Sequence, residues 1–151
     1  MLAGKKVVVV GGSSGIGLAT AEIAKRAGAD VFIASRNAER LKAAAEKIGA
    51  TAIATDVTQD DSVAALFRAT GPADHVVVTA AQLRTGPFKT VAMEDVRATL
   101  EGKFWGAWRV ARAAARAALD HGAPVTTISL GISPVETALR GQRRSQAPEG
   151  E

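Results

Sequence analysis

A chain of 151 residues, 47% hydrophobic and 23% charged, suffices for one domain with its own core and is too apolar to stay disordered. It holds no cysteine and only His75 and His121 as histidines, which excludes disulfides and thiolate metal centres and argues against a histidine-based one. The net charge of +4 and pI of about 9.9 admit a nucleic-acid partner, but the arginines are spread along helical stretches and cluster only at Arg140, Arg143 and Arg144, so none is expected.

The chain alternates short β-branched runs with alanine-rich stretches. Lys6 to Val10 reads as the first strand. Its four valines lead into glycines, too short a run for a signal peptide or a membrane span. No membrane partner is expected, and the default location is the cytoplasm. A helix is predicted from about Gly15 to Ala27, with Ile16, Ala19, Ile23 and Ala27 facing the core and Gly28 closing it. Asp30 to Ala34 is the second strand. Asn37 can cap the next helix, whose apolar face is Leu41, Ala44, Ala45 and Ile48, and Gly49 ends it.

Thr51 to Thr55 is the third strand. Thr58 followed by Asp61 reads as a capping box, and Val63, Leu66 and Phe67 form the buried face of the helix it opens. His75 to Thr79 is the fourth strand. A long helix is predicted from about Met93 to Leu119, its core face Val96, Leu100, Phe104, Ala107, Ala111, Ala114 and Ala118. Pro124 to Leu130 is the fifth strand. Strands this apolar, joined by helical connections, imply an α/β fold with a parallel sheet covered on both faces. After Leu130 breakers dominate. The chain therefore divides into a domain over 1–133 and a disordered or irregular tail over 134–151.

Between the first strand and the first helix lies Gly11-Gly12-Ser13-Ser14-Gly15-Ile16-Gly17. Glycines there permit positive φ and close approach of a diphosphate, and the helix start supplies unpaired N–H groups and a positive dipole end. Gly17 lets the helix pack close to the sheet. Ser13 and Ser14 can donate hydroxyl hydrogen bonds to phosphate.

The spacing Gly-x-x-x-Gly-x-Gly resembles that of the short-chain dehydrogenase/reductase family, and the resemblance runs from about Lys5 to Leu130. It implies a Rossmann-like, doubly wound parallel sheet, here of five strands and incomplete relative to the family, and an NAD(P)-dependent oxidoreductase moving a hydride between nicotinamide and a carbonyl or alcohol. The family's usual threonine before the first glycine is Val10 here. Where an acidic residue at the end of the second strand would favour NAD, this chain has Ser35-Arg36-Asn37. Arg36 can pair with a 2′-phosphate and Ser35 can add a hydrogen bond, so NADP is expected over NAD. Asp56 and Val57 resemble the family's adenine contacts; Asp56 can equally serve simply to end a strand. The family's Asn-Asn-Ala-Gly appears as Thr79-Ala80-Ala81-Gln82, in which Ala80 and Ala81 still permit approach of a ribose. Gly86-Pro87-Phe88 resembles the loop that follows.

Lys103-Phe104-Trp105-Gly106 resembles the family's asparagine motif on the long helix, with lysine in the asparagine's place, as in a divergent branch of the family. Lys103 either turns its amine toward the site or snorkels to solvent. The face carrying Trp105, Trp108, Arg109, Arg112 and Arg116 reads as a surface for a second copy, as the family's dimers imply, or as stacking within the monomer. The family's proton donor is a tyrosine with a lysine shortly after it and a serine before it. This chain has no tyrosine and no lysine after Lys103. Ser129 and Lys103 are the remaining candidates for catalytic positions. The resemblance thus implies a chain truncated after the fifth strand and catalytically incomplete, or alternatively a non-catalytic dinucleotide-binding module or an inactive fragment.

Overall fold

The computed structural model describes residues 2–81, 84, 86–122 and 124–129. The expected tail over 134–151 and Gln82 lie outside the described residues. The elements run β1 (Lys6–Val10), α1 (Gly15–Arg26), β2 (Asp30–Ser35), α2 (Ala38–Ile48), β3 (Thr51–Ala54), α3 (Asp60–Thr70), β4 (His75–Val78), α4 (Met93–Leu100), a π-helical turn (Glu101–Trp105), α5 (Gly106–Asp120) and β5 (Thr126–Ser129). The strands form one parallel sheet in the order β3-β2-β1-β4-β5. This is the Rossmann-like, doubly wound α/β arrangement expected.

β1 lies at the centre, and Val8, Val9 and Val10 are fully buried. Its alternation feeds two cores. Val8 and Val10 pack with Val76, Val78, Leu66, Phe67 and Val110 under α3 and α5. Val7 and Val9 pack with Val31, Ile33, Ala21, Leu41 and Ala44 under α1 and α2. α2 begins and ends as its residue types dictate. The Arg40 amide donates to Asn37 Oδ1 at 2.8 Å, and Gly49 closes the helix in the left-handed region at φ 66°.

The structure corrects the sequence reading at four places. β3 lies at the sheet edge with Thr51, Ala52 and Ala54 exposed, so it is not covered on both faces. In α1 the face toward the sheet is Gly17, Ala21 and Ala24, while Ile16 and Ile23 are 62% and 59% exposed. The helix approaches too closely at Gly17 for branched side chains, so small residues face the sheet. Thr58 does not cap α3. Gln59 occupies the cap position with no side-chain bond, because the Thr58 amide and hydroxyl both turn back to Asp56 Oδ1. The long helix is interrupted by the π turn, which holds an extra residue and shifts the helical phase. The buried residues are therefore Thr99, Gly102, Gly106, Val110, Ala114 and Ala118, while Leu100 and Phe104 are exposed.

Candidate functional site

Parallel pairing sets Val10 level with Ala34 and Val78, Ala34 level with Ile53, and Val78 level with Ser129. The segments that leave these strand ends consequently emerge on one side. Chain direction divides there, since β1 leads outward to β2 and β3, and the chain later returns beside β1 as β4. That is the topological switch point at which open α/β sheets bind ligands.

A groove of about 560 Å³ occupies this edge. Gly11, Ser13, Ser14, Ile16 and Gly17 line it from the glycine loop, Ser35 and Arg36 from the end of β2, Asp56 and Val57 from beyond β3, Ala80 and Ala81 from beyond β4, and Lys103 from the π turn. Gly15 opens α1 between these lining residues. Ser129 ends β5 in register with Val78. Apart from Gly15 and Ser129, the expected site residues line one concave surface. Asn37, Arg40, Thr55, Thr58, Thr79 and Gly102 line it as well and were not among the expected residues. Arg40 had a readable signal. It lies four residues after Arg36, and an Asn37 cap places it in the first turn of α2.

The loop backbone is specified by two glycines in particular. Gly11 has φ 97°, and a Cβ there would overlap Thr79 Oγ1 and lie 2.5 Å from the Ala80 nitrogen. Gly15 has φ 55°, and the space where its Cβ would stand is open. Gly17 sits so close to the loop that a Cβ would overlap the Gly11 carbonyl oxygen and lie 2.5 Å from Thr79 Oγ1. Thr79 Oγ1 in turn donates to the Val10 carbonyl at 3.2 Å, which ties β4 to the loop. The first helical bond of α1 runs from the Leu18 amide to the Ser14 carbonyl at 3.2 Å, so the amides of Gly15, Ile16 and Gly17 precede the intrahelical ladder. The first turn of α1 carries no acidic side chain, which suits an anion at that end.

Two polar groups describe the β2–β3 end. Ser35 Oγ is buried and has no hydrogen-bond partner among the described residues, an uncommon state for a hydroxyl and one that a bound group would relieve. Burial pushes the Asp56 carboxyl up. The Thr58 amide at 2.9 Å, the Thr58 hydroxyl at 2.8 Å and the Arg36 charge outweigh that effect and hold it below the ordinary aspartate value. At the other end, burial lowers the Lys103 ammonium below the ordinary lysine value. Three cations, Arg36, Arg40 and Lys103, and one carboxylate, Asp56, line the groove, a balance that draws polyanions. Outside it, Arg109 Nη1 pairs with Glu101 at 2.7 Å and Arg109 Nε with Asp60 at 3.0 Å. Trp105 and Trp108 stay 49% and 58% exposed. Among the described residues no cluster of three or more His, Asp or Glu could hold a metal ion, and no helix is long and apolar enough to cross a membrane.

The family described as short chain dehydrogenase matches residues 5–137. Uncharacterized oxidoreductase YxnA of Bacillus subtilis is 32% identical over 134 residues, covering 83% of this chain and 38% of that protein. D-erythrulose reductase of Gallus gallus is 29% identical, covering 91% of this chain and 56% of that protein. Gluconate 5-dehydrogenase of Gluconobacter oxydans is 37% identical, over 62% of this chain and 40% of its own. The chain therefore spans about half the length, or less, of the curated relatives it matches. A short-chain type dehydrogenase/reductase from Mycobacterium marinum superposes with a TM-score of 0.82 at 27% identity, over 98% of this chain and 70% of its own.

Proposed function

The chain belongs to the short-chain dehydrogenase/reductase family, whose members use a nicotinamide dinucleotide, and from that premise we propose that its groove binds NADP in preference to NAD for hydride transfer between nicotinamide and a carbonyl or alcohol. The observation that carries the preference is the buried, unpartnered Ser35 hydroxyl beside Arg36 at the end of β2, with no acidic residue between Ser35 and Asn37. A 2′-phosphate supplies the acceptor Ser35 lacks and the anion Arg36 can hold bidentately. Arg40 adds positive charge on the same side.

The remaining roles follow the groove. The amides opening α1, with Ser13 and Ser14, hold the diphosphate, and Gly11, Gly15 and Gly17 keep side chains out of its way. Asp56 accepts from the adenine amino group, and Val57 supplies a backbone contact. Ala80 and Ala81 admit the second ribose. When bound, the nicotinamide supplies the hydride donor or acceptor. Lys103 and Ser129 are the catalytic candidates, for holding a proton or a substrate oxygen. The exposed face of Trp105, Trp108 and Arg112 is proposed as a contact for a second copy of the chain, and the cytoplasm as its location.

Calorimetry with NADP and NAD tests the preference directly. Tighter binding of NADP is expected, and tighter NAD overturns it. A second reading is that these 151 residues bind the dinucleotide without catalysing anything. The absence of tyrosine from them favours it. Turnover of a carbonyl compound with NADPH by the purified chain would end that second reading.

A further inference from the structure

We propose that Thr58 is a positioning residue of the groove: by occupying one carboxylate oxygen of Asp56 it reserves the other as a fixed acceptor, so that the site prefers a 6-aminopurine dinucleotide to its 6-oxopurine counterpart. The proposal rests on the dinucleotide reading above and extends it from the phosphate to the base.

Asp56 and Thr58 both line the groove where the chain leaves β3, and both are half-buried. The backbone there is tied on several sides. The Thr55 amide donates to the Ser35 carbonyl at 2.9 Å, the Asp56 amide to Ser62 Oγ at 2.9 Å, and the Gln59 amide to the Asp56 carbonyl at 3.1 Å. Gly106 rests against Val57, where an added Cβ would lie 2.7 Å from Val57 Cγ2. These contacts fix where the Asp56 side chain starts but leave its torsions open. Thr58 closes them, since its amide at 2.9 Å and its hydroxyl at 2.8 Å both donate to Oδ1. Gln59 Nε2 donates to the same hydroxyl at 3.3 Å, which leaves the hydroxyl's own proton for Asp56. Asp56 Oδ2 takes no hydrogen bond among the described residues. Thr58 is also of a type that caps helices, yet α3 starts with Gln59 in the cap position and no side-chain bond. A helix start left without its cap beside a groove is the kind of local exception that functional sites carry.

The chemistry follows from what each group can donate or accept. An ionised carboxylate only accepts, with about two acceptor directions on each oxygen. Oδ1 has both filled, so Oδ2 is the acceptor that remains. The exocyclic amino group of a 6-aminopurine donates to it. A 6-oxo group presents lone pairs instead and is repelled, and a carboxylate held at Oδ1 cannot turn away to relieve the clash. Without the Thr58 hydroxyl the carboxylate turns more freely, and the two bases are told apart less well. An oriented hydrogen bond to a charged acceptor changes an affinity by about tenfold or more. Acid erodes the same preference, because a protonated Oδ2 becomes a donor and suits the oxo group. Burial raises the Asp56 carboxyl, but the Thr58 bonds and the Arg36 charge bring it below the ordinary aspartate value, so the preference survives to lower pH than a free aspartate would allow. Arg36, Arg40 and Lys103 share the groove with Asp56, and Asp60 and Asp61 open α3 beside it. All five stay in place in the variants that test the idea.

Dissociation constants for NADP and for its 6-oxo analogue, nicotinamide hypoxanthine dinucleotide phosphate, are to be measured in the full chain and in Thr58→Val, Thr58→Ala and Thr58→Ser. Both probes carry the same 2′-phosphate, so its own titration cancels in their ratio. The wild-type chain is expected to hold NADP about tenfold more tightly than the analogue. Thr58→Val and Thr58→Ala should lose most of that preference, and Thr58→Ser should keep it. As pH falls from neutrality, the preference should fade at a higher pH in the Val and Ala variants than in the wild-type and Ser proteins. A role confined to supporting the fold would weaken both probes alike and leave the ratio and its pH dependence unmoved. That outcome in the Val or Ala variant overturns the proposal. A wild-type chain that holds both probes equally overturns it without any variant. If the wild-type chain binds neither probe, the dinucleotide reading itself fails and this inference falls with it.

Discussion

Gly106 rests directly on Val57, so close that an added Cβ would lie 2.7 Å from Val57 Cγ2 and 3.1 Å from its Cβ. This contact seats the start of α5 on the segment that follows β3, and it seats the π turn with it. Two effects oppose each other in Gly106→Ala. Alanine in a helix gains about 1 kcal/mol over glycine. Overpacking against a buried branched side chain costs about 1–3 kcal/mol. Val57 is 8% exposed and has little room to withdraw, so overpacking wins. Urea denaturation of Gly106→Ala should show a net loss of about 1 kcal/mol, and a more stable variant would show that the contact yields.

Gly17 presents a harder case, since its would-be Cβ meets backbone. The Gly11 carbonyl cannot rotate away without distorting the loop whose φ of 97° it belongs to. Gly17→Ala should therefore cost more than Gly106→Ala, roughly 2–3 kcal/mol or more, and abolish dinucleotide binding in calorimetry. A variant that melts like wild type and binds equally would contradict the close approach.

Reversal of charge at the end of β2 addresses cofactor choice. Arg36→Glu places a carboxylate where NAD ribose hydroxyls would donate and a 2′-phosphate would be repelled. NADP affinity is expected to fall roughly 10- to 100-fold, the range of one or two charge-assisted hydrogen bonds. NAD affinity should hold or rise. Equal loss of both nucleotides would mean Arg36 supports the loop rather than reads the phosphate.

Acid should loosen the fold through Asp74. Its Oδ1 accepts from Lys5 Nζ at 2.8 Å and its Oδ2 from the Lys6 amide at 2.9 Å, and these two bonds, in that order, hold its carboxyl below the ordinary aspartate value. The stabilisation is fully present above the unfolded-chain value and drains away as pH falls through the lower folded one. Denaturation midpoints measured from about pH 6 to about pH 3 should decline below about pH 4. Asp74→Asn should be less stable at neutral pH and should flatten that decline. The pair is partly exposed, so the effect is modest.

Local rules made much of this chain readable. The valines of β1, the Asn37 cap and the Gly49 terminus are each set by residue type over a few positions. The glycine loop was readable because a strand precedes it and a helix follows. What escaped depends on contacts distant in sequence. Nothing in Glu101-Gly102-Lys103-Phe104-Trp105 favours a π turn locally. The turn accompanies the seating of Gly106 on Val57, and beyond it a 3.6-residue count loses phase, which is why Leu100 and Phe104 were misplaced. Ile16 and Ile23 read as core because they fall with Ala19 and Ala27 at helical spacing. The narrow space at Gly17 admits only small side chains. Thr58 had a better partner in Asp56 than in the helix ahead of it.

The division of chain direction at β1 has an evolutionary corollary. The groove residues contributed beyond β1, β2 and β3 are encoded between residues 10 and 58, and those from beyond β4 and the π turn between 79 and 103. The two stretches meet where Gly11 and Gly17 approach Thr79 and where Val57 meets Gly106. A substitution at one of these meeting points is felt in both stretches, so the two are bound to change together there.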